Sequence, residues 1–193
     1  TDTAANLATD AATNSGAGTY VVNKNITFSD AHNLDQLTAI NNLTTGTITF
    51  SNPSIGLTGS TSAVKTALDG ITTYTGNITL SDATTSLAAT DLSAVTTATT
   101  GTVTLTNSQT ITGTGAQIKA AIITDPVALG AASNVTVSDA ITAADAAAIA
   151  GVGSITAAYT LGISDTLANL LNGAGDAINA NVTAAVNDDA NIN

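Results

Sequence analysis

Short stretches in which apolar and polar residues alternate recur along the chain. Each contains an apolar residue, a threonine and a second apolar residue, as in NITLSD, which begins at Asn77. This period of two is typical of β-strands that bury one face, because successive side chains point to opposite sides. The apolar pairs predicted to face the core are Ile26/Phe28, Ile48/Phe50, Ile78/Leu80, Val103/Leu105 and Val135/Val137.

A helical pattern follows each predicted strand. Leu34, Leu37 and Ile40 are three residues apart, which predicts a short amphipathic helix. The same or a four-residue spacing occurs in the pairs Val64/Leu68, Leu92/Val95, Ile118/Ile122 and Ala146/Ile149. A glycine precedes several strands, where we expect it to follow a helix end and to adopt a positive φ. These glycines are Gly46, Gly76 and Gly101.

The strand and helix patterns form a repeat of about 54 residues, as measured between Lys65 and Lys119. Its approximate units are 1–24, 25–76, 77–133 and 134–193, and the matching stretches DTAANL at Asp2 and DTLANL at Asp165 indicate that the chain begins and ends in the same phase. One strand with one helix cannot bury its apolar face alone, so we expect the units to stack. The predicted fold is an α/β repeat in a single domain. It is a β-α solenoid of about seven coils, with a parallel β-sheet on one side and short helices on the other.

The charge distribution excludes several functions. The cations are Lys24, Lys65 and Lys119, there is no arginine, all 14 acidic residues are aspartate, and the net charge is −11. Such a chain lacks the basic surface that binds nucleic acid or anionic lipid. No run of about 18 apolar residues is present, so we expect no membrane insertion.

The chain has few of the residue types that catalysis requires. The chain has no cysteine and one histidine, His32, which is expected to be a solvated loop residue. A catalytic triad needs a base beside a nucleophile, and paired acids that cleave sugars need a platform to hold the sugar. We therefore predict no enzyme activity and no catalytic residues.

Four Ser-Asp pairs each lie at the end of a strand-like stretch, just before a helical segment. The preferred interpretation is that the carboxylates cap helix starts, where backbone N–H groups have no partner in the helix. The alternative is a Ca²⁺ site, for which carboxylate oxygens are suitable ligands. Alternate coils would lie about 10 Å apart, which is too far to share one ion. Calcium remains the one candidate cofactor, and its candidate ligands are Asp30, Asp82, Asp139 and Asp165.

A row of threonines is the second candidate surface. The threonine between the two apolar residues of each strand would form a flat, weakly charged ladder across the strands. Threonine is also simply suited to the solvent side of a strand. A lattice or fibre contact and an ice-binding plane are the functional alternatives. The ladder residues are Thr27, Thr49, Thr79, Thr104 and Thr136.

Five glycosylation sequons are present. In a chain so rich in asparagine and threonine they are expected by chance, so they indicate glycosylation only weakly. They begin at Asn25, Asn42, Asn77, Asn134 and Asn181.

The alternation of DTAANL and SDTLANLL with SDAITAADAAAIAGVGSITAAYTLGI resembles the Thr/Ala/Asp-rich tandem repeats of giant secreted bacterial surface proteins, both adhesin-like and S-layer-like. The calcium-binding nonapeptide GGxGxDxUx is absent. The resemblance implies a structural module at the bacterial cell surface or outside the cell. It would act as a spacer or assemble into a filament or surface layer by end-to-end stacking of coils. Its partners would be copies of itself, head to tail or lateral, with surface glycans as a further candidate. The alternatives are a Ca²⁺-dependent adhesion module and an ice-binding protein.

Overall fold

The fold alternates short strands with short helices. The computed structural model describes residues 1–13, 20–83, 86–124, 127–129, 133–153 and 155–171. No helix within these ranges is long and apolar enough to cross a membrane. The helices are α1 (Ala4–Thr13), α2 (Leu34–Asn41), α3 (Thr61–Ala67), α4 (Ala89–Ala98), α5 (Gly115–Lys119), α6 (Ala143–Ala150) and α7 (Leu167–Leu170), and a π-helical turn at Ala120–Thr124 continues α5.

The strands are three to five residues long, apart from one of two residues. They are β1 (Ile26–Phe28), β2 (Ile48–Phe50), β3 (Leu57–Gly59), β4 (Ile78–Leu80), β5 (Ser86–Ala88), β6 (Val103–Leu105), β7 (Thr110–Gly113), β8 (Ala128–Leu129), β9 (Ser133–Val137) and β10 (Ile155–Tyr159). They form one two-stranded sheet, β1-β2, and two four-stranded sheets, β10-β9-β7-β5 and β3-β4-β6-β8. The strand pairs with a described register are all parallel.

The predicted solenoid of seven coils with a parallel sheet on one side is wrong. The described strands instead build a mixed α/β fold with three small parallel sheets. The sequence predicts one strand before each helix, whereas the structure has further strands between a predicted strand and its helix, such as β3 and β7. Because strand pairing is non-local, the period of two identified strands correctly and could not tell which of them share a sheet.

Backbone contacts divide the chain into two compact units. The first comprises Thr1–Asp82 and Ala94–Thr104, and the second comprises Ala83–Ser93 and Leu105–Asn193. The single domain of repeat units that the sequence indicates remains a prediction. The largest fully buried side chains of the first unit are Phe28, Leu37, Ile40, Leu57, Tyr74, Ile78 and Leu80, and those of the second are Leu92, Leu105, Ile111, Ile118 and Ile149.

The local predictions are confirmed within both units. All five predicted strand stretches contain a strand, and their apolar residues are buried except Phe50, which is half-buried. The helical pairs are also buried, as in α2, where Leu37 and Ile40 face the core. Side-chain periodicity therefore predicts the buried face of these elements, apart from Leu34, which is half-buried.

The glycines before the strands serve a different purpose from the one predicted. Among the described glycines, only Gly70 and Gly162 have a positive φ. A side chain at Gly76 would instead collide with the backbone of Ile55, and one at Gly101 would collide with the backbone of Gly76. These positions need glycine because two backbone segments approach closely there.

Candidate functional site

The four Ser-Asp aspartates lie at equivalent corners of the fold. Each carboxylate accepts a hydrogen bond from the first backbone N–H of a helix, which agrees with the capping interpretation. The capped helix is not the one that follows the aspartate but one that begins 21 to 26 residues earlier in the chain. The bonds join Ala4 N to Asp30 (2.7 Å), Thr61 N to Asp82 (3.0 Å), Gly115 N to Asp139 (2.7 Å) and Ala143 N to Asp165 (3.1 Å).

Strand register explains why the four corners are alike. In each case two residues pair in parallel, and the residues two positions further along are the helix N–H and the carboxylate. A parallel ladder keeps the two chains in step beyond its last pair, so the carboxylate meets the amide without a dedicated loop. The pairs are Asp2 with Phe28, Gly59 with Leu80, Gly113 with Val137 and Ile141 with Ile163.

Asp82 is the most buried member of the set. Its side chain is 6% exposed and receives the Thr61 N–H together with the Thr61 hydroxyl, at 2.7 Å from Oδ2. The helix capped in this way, α3, has Ser60 as its own N-cap, whose hydroxyl accepts from Ala63 N. Two side chains thus satisfy separate N–H groups of one helix start.

Asp2 and Asp165 share a second arrangement. Asp165 Oδ1 accepts from Thr166 N at 2.8 Å and from Asn169 Nδ2 at 2.7 Å. Asp2 Oδ1 accepts from Thr3 N at 2.7 Å and from Asn6 Nδ2 at 2.9 Å. The match between the two DT-containing stretches of sequence therefore extends to individual hydrogen bonds.

The hydrogen bonds of these two corners lower both carboxyl pKa values. The Asn169 amide contributes most for Asp165, followed by the Thr166 N–H, and Asn6 and then Thr3 act in the same way on Asp2. Each bond favours the ionised carboxylate.

Replacing Asn169 by alanine is expected to raise the pKa of Asp165 toward the ordinary aspartate value, because the largest contribution to its lowering is removed. The lowered pKa stabilises the fold above the unfolded-state value, and this contribution is lost as the pH falls through the folded-state value. Carboxyl ¹³C NMR titration measures the change. The pKa of Asp2 serves as the control, since its own partners remain; a shift of Asp2 with no shift of Asp165 would contradict the assignment.

The predicted calcium ligands are not brought together at one point. Each accepts a hydrogen bond at its own corner, from the first amide of a different helix. Among the described residues, no group of three or more histidine or acidic side chains is placed to hold a metal ion.

The threonine ladder falls into three sets rather than one row. Thr27 pairs with Thr49 in the two-stranded sheet. Thr79 pairs with Thr58, and Thr104 lies on the neighbouring strand β6. In the remaining sheet Thr136 pairs with Thr112. Thr58 and Thr112 lie on β3 and β7, which are not among the five predicted strands.

The sequon asparagines Asn25 and Asn77 have a structural role. Their Oδ1 atoms accept from Thr47 N and Thr102 N respectively, both at 2.9 Å. Asn42 and Asn134 are exposed, and Asn181 lies outside the described residues.

The comparisons add no relative. No family model, no curated protein and no solved structure matches this chain. The functional argument therefore rests on the chain's own repeated geometry.

Proposed function

We propose that this chain is a structural repeat module of the bacterial cell surface that associates end to end with copies of itself, as a spacer or as the unit of a filament or surface layer. The observation that carries the proposal is the likeness of the Asp2 and Asp165 corners. The extracellular location is supported by the resemblance of the Thr/Ala/Asp-rich sequence to secreted surface repeats. The net charge of −11 would help to keep such a repetitive surface soluble.

The two corners differ at the Oδ2 atom of the aspartate. Asp165 Oδ2 accepts from Ala143 N, the first amide of α6. The described residues place no donor on Asp2 Oδ2, although Oδ1 is bonded as in Asp165. The first amide of a helix in a second copy would complete the Asp2 corner in the way that α6 completes the Asp165 corner.

A suitable donor is present at Leu167. This residue is the first of α7 and follows Asp165 by two positions, as Ala4 follows Asp2. Ala4 N is capped by Asp30, and Leu167 N occupies the equivalent first position of α7. The Leu167 side chain is 71% exposed and would be covered by the same contact. The proposed contact therefore joins Asp2 of one copy to Leu167 of the next.

Two substitutions test this contact from opposite sides. Asp2→Ala removes the acceptor, and Leu167→Pro removes the donor. Proline suits the first position of a helix, and Thr166 already has the extended backbone (φ −66°, ψ 150°) that a following proline requires. A hydrogen bond to an ionised carboxylate is stronger than one between neutral groups, so each change is expected to weaken association roughly tenfold. Sedimentation velocity over a concentration series measures the association.

Matched controls separate the contact from local damage. Asn6→Ala disturbs the same helix start and keeps the Asp2 carboxylate, and Leu167→Ala keeps the amide. Both should associate more strongly than the corresponding test variant. A wild-type chain that stays monomeric at its highest attainable concentration would refute the proposal.

A further inference from the structure

The sole histidine of the chain is buried in an aromatic cluster. His32, expected to be solvated, is 5% exposed. Its ring centroid lies 5.2 Å from that of Phe28, 4.8 Å from that of Phe50 and 5.8 Å from that of Tyr74. These four side chains are called the His32 cluster below. A lone loop histidine gives no sequence signal of burial, so only the fold reveals this environment.

Hydrogen bonding fixes the tautomer of His32. The Tyr74 hydroxyl donates to Ile55 O at 2.6 Å, and burial raises the pKa of Tyr74 to about 12, so this oxygen keeps its proton. The Tyr74 oxygen can then only accept from His32 Nε2, which lies 3.1 Å away. The neutral ring therefore carries its proton on Nε2. Nδ1 is the nitrogen without a proton, and it is buried with no hydrogen-bond partner among the described residues.

Within the part of the chain that the structure describes, a proton on Nδ1 would meet no acceptor. Protonation would create a buried charge and an unsatisfied N–H group, both of which are unfavourable. Desolvation accordingly lowers the pKa of His32, and the charge of Asp30 opposes this only in part. Asp35 lines a cleft together with His32 and is the other acidic residue near it in the sequence. Strands β1, β2 and β3, which surround the ring, carry no charged residue.

We propose that the His32 cluster is an acid-sensitive latch, in which protonation of the imidazole at acid pH opens the packing of Phe28, Phe50 and Tyr74 and releases the parallel pairing of Asp2 with Phe28. The connection to that pairing is direct, because Phe28 is the strand partner of Asp2. Asp2 N donates to Thr27 O at 3.2 Å, and Ser29 N donates to Asp2 O at 2.9 Å. The consequence for assembly rests on the proposed end-to-end association, whereas the latch itself does not.

The sign of the pH effect follows from linkage. The folded state disfavours the protonated ring, so no penalty exists above the ordinary histidine pKa of about 6.5. Below this pKa, His32 is protonated in the unfolded state and neutral in the folded state. The folding constant of the cluster is then expected to fall by about tenfold per pH unit until the folded-state pKa is reached.

NMR on the full chain provides the test, because one histidine gives one titrating imidazole signal. In the wild type we expect the ring to stay neutral as the pH falls through 6.5 and to become protonated together with loss of hydrogen-exchange protection in Ile26–Phe28 and Ile48–Phe50. Protection is expressed relative to an unstructured peptide at the same pH. A ring that titrates near 6.5 while protection persists would overturn the latch.

The variant His32→Phe keeps an aromatic ring and cannot titrate. Its hydrogen-exchange protection should be independent of pH between 7 and 5, and a parallel loss of protection in variant and wild type would argue against the latch. If the variant does not fold, the wild-type titration still decides.

Sedimentation of both proteins at pH 7 and pH 5 addresses assembly. Loss of association at pH 5 in the wild type alone supports release of the Asp2 pairing, and equal association despite an opened cluster overturns it. A wild type that is monomeric at both pH values refutes the proposed function, and the NMR result still decides the latch.

Discussion

Replacing Asp82 by alanine is expected to lower the free energy of unfolding by about 2–3 kcal/mol. The side chain is 6% exposed, and its carboxylate accepts from both the backbone N–H and the hydroxyl of Thr61. Alanine would leave both donors without this acceptor in a buried setting, and hydrogen bonds to a charged group contribute more than neutral ones. The loss should exceed that of an ordinary exposed N-cap, for which about 1 kcal/mol is typical.

Urea denaturation of Asp82→Ala beside two other variants measures this effect. Asp35→Ala removes an exposed carboxylate from the first turn of α2 and should cost less than about 1 kcal/mol, through the helix dipole alone. Thr61→Val removes the hydroxyl donor and keeps the N–H, so it should fall between the two. Equal midpoints for Asp82→Ala and Asp35→Ala would show that the corner contributes nothing beyond its charge.

Local patterns predicted the elements well, and non-local contacts explain what they missed. The alternation around Thr27 and the spacing of Leu37 and Ile40 gave the correct buried faces, since burial acts on each strand or helix separately. The grouping of strands into three sheets was not predictable from short segments that all have the same apolar-Thr-apolar pattern. When every strand looks alike, register and partner are decided by the turns and by the helices between them.

The candidate site shows the same division. The sequence identified the Ser-Asp residues as helix caps, but the capped amide is more than 20 residues away, as for Asp82 and Thr61. The burial of His32 left no trace in the sequence, because its aromatic neighbours Phe50 and Tyr74 come from other segments of the chain. The equivalence of Asp2 and Asp165 is visible as a repeated motif, and only the geometry shows that the first amide of α6 bonds to Asp165.

The largest single effect is expected for Gly76→Ala, which should lower the free energy of unfolding by about 3 kcal/mol or more. A Cβ atom at this position would lie 2.8 Å from Ile55 C and 2.9 Å from the Tyr74 ring, and closer still to Ile55 O. The clash is with backbone, which cannot rotate away as a side chain can. Gly76 has no positive φ, so the cost would arise from packing and not from an unfavourable conformation.

Gly56→Ala is the matched control for this steric argument. Its nearest neighbour would be Asn77 O at 3.5 Å, an ordinary contact, and the position is exposed. We expect a change within about 0.5 kcal/mol there, and Gly101→Ala should resemble Gly76→Ala because its Cβ would lie 2.6 Å from Gly76 C. Urea midpoints of the three variants decide the matter. If Gly76→Ala unfolds at the wild-type midpoint, the two backbone segments are not held as closely as the structure has them, and the repeated glycines must be explained by their turns instead. If both close-contact variants lose their cooperative transition while Gly56→Ala keeps it, the spacing between successive backbone segments is what requires glycine before these strands.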